Sequence, residues 1–71
     1  MKNRLRQLRD EHHMTQEELA VQSGVSRQTI ISLERGRYNP SIFLAHRLAR
    51  VFKLQIEEVF IFEDEGGLPN E

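Results

Sequence analysis

Residues 15–36 read Thr-Gln-Glu-Glu-Leu-Ala-Val-Gln-Ser-Gly-Val-Ser-Arg-Gln-Thr-Ile-Ile-Ser-Leu-Glu-Arg-Gly and predict two short helices joined by a turn. Thr15 can cap the first helix, and Glu18 lies three residues later, where it completes a capping box. Gly24 can adopt the positive φ that a sharp helix exit requires. Ser26 can cap the second helix, and the glycine at the end of the segment can stop it. The local chemistry therefore favours helix, turn and helix in that order.

The second helix of this pair is predicted to be apolar on one side and polar on the other. Val25, Ile30 and Leu33 are spaced five and three residues apart, which gives an inward stripe of roughly helical period. The opposite face carries Ser26, Arg27, Gln28, Ile31 and Ser32. This layout is typical of a DNA-binding helix-turn-helix, in which the second helix enters the major groove. A generic helical hairpin in a small bundle is the alternative.

Length and composition limit the classes of protein that this sequence can belong to. The chain has 71 residues, the size of one domain with a modest core, so its stability is predicted to be marginal without a second chain. It contains no cysteine, which excludes disulfides and thiolate metal sites. No apolar run approaches the length of a membrane span, and the first residues lack the apolar region of a signal peptide. We therefore expect a cytoplasmic protein with no membrane partner.

The net charge of −1 combines a basic part and an acidic part of the chain. Residues 1–53 hold all ten Lys and Arg residues together with five acidic ones, for a charge of +5. Residues 54–71 hold six acidic residues and no basic one, for a charge of −6. A basic body with an acidic end can present one face to nucleic acid, although an ordinary mixed surface is the alternative.

Over residues 2–60 the sequence resembles the Cro/CI-type regulators, also called the XRE family, on the helix-turn-helix segment quoted above. The resemblance implies an all-α, five-helix, lambda-repressor-like DNA-binding domain. The sequence pattern itself predicts helices at about residues 3–12, 16–23, 27–35, 42–52 and 56–60. We expect residues 1–62 to form the DNA-binding domain with a C-terminal dimerisation segment, and residues 63–71 to form a disordered acidic tail.

The polar face of the third helix is predicted to contact DNA bases through Ser26, Arg27, Gln28, Ile31 and Ser32. Arg27 can form two hydrogen bonds to guanine, and Gln28 can form two to adenine. Ile31 departs from the small or polar residue that is usual at its place in the resembled family. It either covers a thymine methyl group or is simply an exposed isoleucine.

A second set of residues is predicted to contact phosphates: Gln16, Thr29, Arg37, Tyr38 and Asn39. In the resembled family, a glutamine at the place of Gln16 holds a backbone phosphate. The loop that carries Arg37 follows the third helix and is expected to border the same backbone. Packing of Tyr38 against the fourth helix is at least as good an interpretation of that residue.

The resemblance further implies a structural ion pair between Arg9 of the first helix and Glu34 near the end of the third. It also implies binding as a dimer, with two third helices in successive major grooves. The dimer interface is predicted to contain Val59, Phe60, Ile61 and Phe62. Four consecutive apolar residues are more than a small monomer covers easily, although completion of the monomer's own core is the alternative.

No residue pattern indicates an enzyme, a cofactor, a metal site or a small-molecule ligand. His12 and His13 are adjacent and point about 100° apart on a helix, so they cannot share one metal ion. The predicted partners are double-stranded DNA and a second copy of the chain. A protein-interaction module, such as an antitoxin or a transcription adaptor, is the first alternative. RNA binding ranks last, because only Tyr38 offers a stacking aromatic ring outside the predicted core.

Overall fold

Five helices follow one another in residues 1–62, the part of the chain that the computed structural model describes. They are α1 (Leu5–Glu11), α2 (Gln16–Ser23), α3 (Arg27–Glu34), α4 (Ile42–Val51) and α5 (Ile56–Val59). The predicted bounds of α2 are confirmed, and the other helices differ from their predicted bounds by one or two residues at an end. The prediction of a disordered tail at residues 63–71 lies outside the described residues.

Side-chain caps begin the three central helices, and those of α2 and α3 are the predicted ones. The Thr15 hydroxyl accepts from the amide of Glu18 at 3.0 Å, and the Glu18 carboxylate accepts from the amide of Thr15 at 2.8 Å. Ser26 caps α3 by accepting from the amide of Thr29 at 3.1 Å. Ser41 caps α4 in the same way, at 3.1 Å from the amide of the residue three positions later. These bonds satisfy amides that a helix cannot pair internally.

One apolar core joins all five helices. The helix α2 packs against α3 and α4, α1 packs against α3, and α4 packs against α5. The buried apolar side chains are Leu5, Leu8, Leu19, Ala20, Ile30, Leu33, Leu44, Ala45, Leu48, Ala49, Phe52, Val59 and Phe60. Val25 is half-buried and packs against this cluster. The core therefore fixes α3 on one side and leaves its other side to solvent.

The first helix begins at Leu5 rather than at the predicted Asn3, because residues 2–4 pair with the chain after α5. Asn3 forms an antiparallel bridge with Phe60, and the amide of Arg4 donates to the carbonyl of Val59 at 2.8 Å. The amide of Ile61 donates to the carbonyl of residue 2 at 2.9 Å. A backbone segment that pairs with another segment cannot also be helical. The predicted start of α1 was therefore two residues too early, and the predicted end of α5 was one residue too late.

Candidate nucleic-acid interface

A tight turn of three residues, 24–26, sets the angle between α2 and α3. Gly24 has φ of 76°, a left-handed conformation that an L side chain rarely adopts, which confirms its predicted role. The amide of Val25 donates to the carbonyl of Ala20 at 3.0 Å. From α4, the Nε of Arg47 donates to the carbonyl of Ser23 at 3.0 Å. The turn is therefore held both by its own backbone and by a side chain from α4.

The face of α3 away from the core carries the residues predicted to contact bases. Arg27 and Gln28 are exposed and have no side-chain hydrogen bond or ion pair with any residue in 1–62. Ile31 and Ser32 are half-buried one turn further along the helix. The structure thus brings together, at the start of α3, two long side chains that are free to bind a ligand.

The hydroxyl groups at the start of α3 already have local partners. The hydroxyl of Ser26 lies 3.0 Å from the hydroxyl of Thr29 and also accepts from the Thr29 amide. Ser26 is exposed and Thr29 is half-buried. Any DNA contact by these two residues must therefore share a hydroxyl group with the helix cap.

The ion pair between Arg9 and Glu34 is present in the structure and nearly buried. The side chains are 12% and 7% exposed, respectively. The Nε of Arg9 lies 2.5 Å from one carboxylate oxygen of Glu34, and its Nη2 donates to the other at 3.1 Å. The Nη1 of Arg9 donates to the carbonyl of Met14 at 3.0 Å. Hydrogen bonding to Glu34 raises the pKa of Arg9 above its ordinary value, so the guanidinium stays charged in neutral solution.

Gln16, at the first position of α2, joins this ion pair. Its Nε2 donates to Glu34 at 3.2 Å, which fixes the orientation of the amide group. The second hydrogen on that nitrogen has no acceptor within the described residues. Gln16 is therefore held in place by α3 while one donor remains free.

The loop after α3 places Arg37, Tyr38 and Asn39 at the surface. None of the three side chains has a hydrogen bond or ion pair within residues 1–62. Tyr38 is 44% exposed, so packing accounts for only part of its ring. All three side chains are accessible to a ligand that approaches this loop.

An open cleft of about 420 Å³ lies between α1 and α3, beside the start of α2. Four arginines line it, together with Gln16, Ile31 and Glu34; these arginines are Arg6, Arg9, Arg27 and Arg35. Arg6 and Arg35 lie outside the sets of residues predicted from the sequence to contact bases or phosphates. The signal that could have found Arg35 is its spacing, since Arg27, Ile31 and Arg35 recur every four residues and share one face of α3.

The four consecutive apolar residues after α5 divide into two pairs. Val59 and Phe60 are 0% and 1% exposed, because they complete the core of the single chain. Ile61 and Phe62 are 39% and 61% exposed. The predicted dimer interface therefore has only Ile61 and Phe62 at the surface of one chain, and the contact between copies stays a prediction.

The described residues also bear on metal binding and on membrane spanning. Within residues 1–62, no three His, Asp or Glu side chains come close enough together to hold a metal ion. None of the five helices in that range has the length and apolar character needed to cross a membrane.

Comparison with known proteins places this fold in a family. The family model described as helix-turn-helix matches residues 5–59. An uncharacterized HTH-type transcriptional regulator from Archaeoglobus fulgidus is 55% identical over 65 residues, which cover 92% of this chain and 93% of the relative. The chain belongs to the XRE-type helix-turn-helix family.

Two solved structures of XRE-type regulators share the fold. The restriction-modification controller protein C.AhdI from Aeromonas hydrophila matches with a TM-score of 0.74 and 37% identity, over 80% of this chain and 86% of that chain. The biofilm regulator SinR, solved in complex with DNA, matches with a TM-score of 0.70 and 31% identity, over 76% of this chain and 87% of that chain. The predicted lambda-repressor-like fold is thereby confirmed.

Membership in the family defines the activity at a coarse level. This protein is a transcriptional regulator with a helix-turn-helix DNA-binding domain, and it is not an enzyme. In its structure, α2, the turn at residues 24–26 and α3 form the helix-turn-helix. Arg27 and Gln28 lie at the start of the second helix of this motif, which is the end that contacts base edges in such domains.

Proposed function

We propose that this regulator binds a palindromic operator as a homodimer and reads its sequence in the major groove with α3. The observation that carries this proposal is the state of Arg27 and Gln28. Both side chains are exposed and have no partner within residues 1–62, on a helix whose other side is buried. The SinR structure, a relative of the same fold in complex with DNA, supports the proposal.

Base recognition is assigned to the exposed face of α3. Arg27 donates two hydrogen bonds to O6 and N7 of a guanine, and Gln28 pairs with N6 and N7 of an adenine. Ile31, one turn later, contacts a thymine methyl group. Ser26 and Ser32 add hydroxyl contacts that discriminate less between bases.

Phosphate contacts set the position of α3 in the groove without reading sequence. Gln16 donates one hydrogen of its Nε2 to a phosphate, while the other hydrogen of the same nitrogen is donated to Glu34. Thr29 and the exposed loop residues Arg37, Tyr38 and Asn39 contact the backbone on the other side of the helix. The carboxylate of Glu34 does not repel the DNA because Arg9 neutralises it.

The dimer is proposed to form through the exposed residues Ile61 and Phe62. Burial of these side chains between two copies removes apolar area from water, and a two-fold axis places the two α3 helices about 34 Å apart on the DNA. Occupancy of the operator then blocks or recruits the polymerase. Phe62→Ser is expected to shift the sedimentation coefficient towards that of a monomer. Phe43→Ser, the same change at a still more exposed position on α4, is the control and should not shift it.

Selection of bound sequences from random duplex DNA tests the proposal, at about 150 mM salt so that non-specific phosphate binding is suppressed. A palindromic motif with half-sites roughly one helical turn apart is the expected result. Binding without a motif would overturn the proposal. It would favour the second candidate, a protein-interaction module, for which the exposed apolar residues Ile42 and Phe43 provide a surface.

A further inference from the structure

The cleft between α1 and α3 has more positive charge than its internal contacts use. Arg9 is fully engaged, because its three guanidinium nitrogens donate to Glu34 and to a backbone carbonyl. Arg6, Arg27 and Arg35 line the same cleft, and their side chains have no ion pair or hydrogen bond within residues 1–62. One carboxylate, that of Glu34, faces these arginines in the cleft, so the lining has a net charge of +3.

We propose that this cleft is a binding site for the DNA sugar-phosphate backbone, with Arg6 and Arg35 as its phosphate ligands. The inference rests on the proposed function and extends it to two residues that lie outside the predicted set of DNA contacts. It assigns α1 a direct part in DNA binding, in addition to its part in the core.

The spacing along α3 explains how one helix serves bases and backbone together. Arg27 and Arg35 are eight residues apart on one face, which corresponds to about 12 Å along a helix axis. The major groove of B-DNA is about 12 Å wide. When Arg27 reaches a base edge within the groove, Arg35 therefore lies near the rim, where the phosphates run.

The second wall of the cleft supplies a further cation at that rim. Arg6 is exposed on α1, on the side that faces α3 across the cleft. Guanidinium groups bind phosphate oxygens through two parallel hydrogen bonds, and each wall of the cleft offers one such group to the backbone. The adjoining hollow contains Asp10 and Glu17, so the favourable path for a phosphate chain stays on the Arg6 and Arg35 side.

The salt dependence of operator affinity tests the proposal directly. Each phosphate contact contributes about −0.9 to the slope of log affinity against log salt concentration. Because a homodimer carries each substitution twice, Arg6→Gln and Arg35→Gln are each expected to reduce the slope by about 1.8. The affinity ratio of wild type to variant then changes about 12-fold between 50 and 200 mM salt. Both residues are exposed, so the melting temperature should stay unchanged.

Arg50→Gln is the matched control, because Arg50 is an exposed arginine on α4 that lines a different hollow. Its slope should equal that of the wild type. Arg35→Lys keeps the positive charge and should retain the wild-type slope. The motif selected from random DNA should be the same for the two cleft variants, because phosphate contacts do not read bases.

The possible failures can be told apart. If the wild type selects a motif but the slopes of Arg6→Gln and Arg35→Gln equal that of the wild type, this inference fails and the proposed function stands. Equal slope losses for Arg50→Gln and the cleft variants would also overturn it, because the effect would then follow net charge alone. If the wild type selects no motif, the proposed function fails first.

Discussion

At its C-terminal end α3 is held by side chains from three other parts of the chain, whereas at its N-terminal end two long side chains have no partner within residues 1–62. Arg9 and Gln16 bind Glu34, and the side-chain amide of Asn3 donates to the carbonyl of Leu33 at 2.7 Å. The side chains of Arg27 and Gln28, one to two turns earlier, point into solvent. The same short helix thus has a fixed end and an open end.

The difference between the two ends gives each a separate task. A recognition helix must keep its orientation to within a small tolerance, because misplaced hydrogen-bond donors lose both affinity and specificity. The fixed end meets this need with groups that are satisfied inside the protein. The open end has donors with no partner within residues 1–62, as the proposed reading of DNA bases requires. Variants at the fixed end should therefore change stability, and variants at the open end should change sequence preference.

The largest effect on stability is expected from Glu34→Ala at the fixed end. The substitution leaves Arg9 nearly buried without its carboxylate, and such a loss typically costs about 3 kcal/mol in the free energy of unfolding. Urea denaturation measures it. Glu17→Ala, an exposed acidic residue on α2, should stay within about 0.5 kcal/mol of wild type. Equal unfolding midpoints for both variants would remove the basis for a fixed end.

Arg27→Ala at the open end is expected to act on DNA binding and not on folding. Loss of a bidentate contact to guanine weakens binding by about 2 kcal/mol, or about 30-fold, at each half-site of the operator, and relaxes the preference at one symmetric pair of positions. Fluorescence anisotropy with the selected operator measures the affinity. The urea midpoint of Arg27→Ala should match that of wild type. If Arg27→Ala ranked a set of operators with single base changes by affinity in the same order as wild type, the assigned contact between Arg27 and a guanine would be contradicted.

Asn3→Ala tests the fixed end from the N-terminal segment. The side chain accepts from the backbone amide of Leu5 at 3.1 Å and donates to the carbonyl of Leu33 at 2.7 Å. Its removal leaves the Leu5 amide without this acceptor, and the Leu33 carbonyl keeps only the bond from the amide of Gly36. The expected loss in the free energy of unfolding is about 1.5 kcal/mol. Gln7→Ala removes only an exposed contact with Glu11 and is the control. A loss no greater than that of the control would show that this contact does not hold α3.

The smallest effect is expected at Ser26, which caps α3 and also belongs to the face of α3 that is proposed to contact DNA. Ser26→Ala should cost about 1 kcal/mol of stability, and Ser41→Ala, which removes the equivalent cap of α4, should cost the same. Only Ser26→Ala is expected also to weaken operator binding, because Ser26 alone lies beside Arg27. Identical affinities for the two variants would confine Ser26 to its role as a cap.

The sequence predicted best the features that depend on neighbouring residues. The caps at Thr15 and Ser26 and the positive φ of Gly24 each follow from chemistry within a few positions. Helical period correctly separated buried Ile30 and Leu33 from the exposed face. The ion pair between Arg9 and Glu34 followed from resemblance to a family, since no local pattern joins residues 25 positions apart.

Features that depend on contacts between distant segments could not be predicted. Asn3 was assigned to a helix because nothing in the sequence reveals its contact with Leu33, 30 residues away. Four consecutive apolar residues have no period, so the division into buried Val59 and Phe60 and exposed Ile61 and Phe62 follows only from pairing with residues 2–4. The proposed role of Arg6 could not be predicted either, because it depends on the residues of α3 that line the other wall of the cleft.

The central claim is that the open end of α3 reads DNA sequence while its fixed end sets the orientation. The most direct test is selection from random duplex DNA at about 150 mM salt, run side by side for wild type, Arg27→Ala and Arg50→Ala. We expect one palindromic motif for wild type and Arg50→Ala, and loss of preference at one symmetric pair of positions for Arg27→Ala. The same full motif for all three proteins would contradict it.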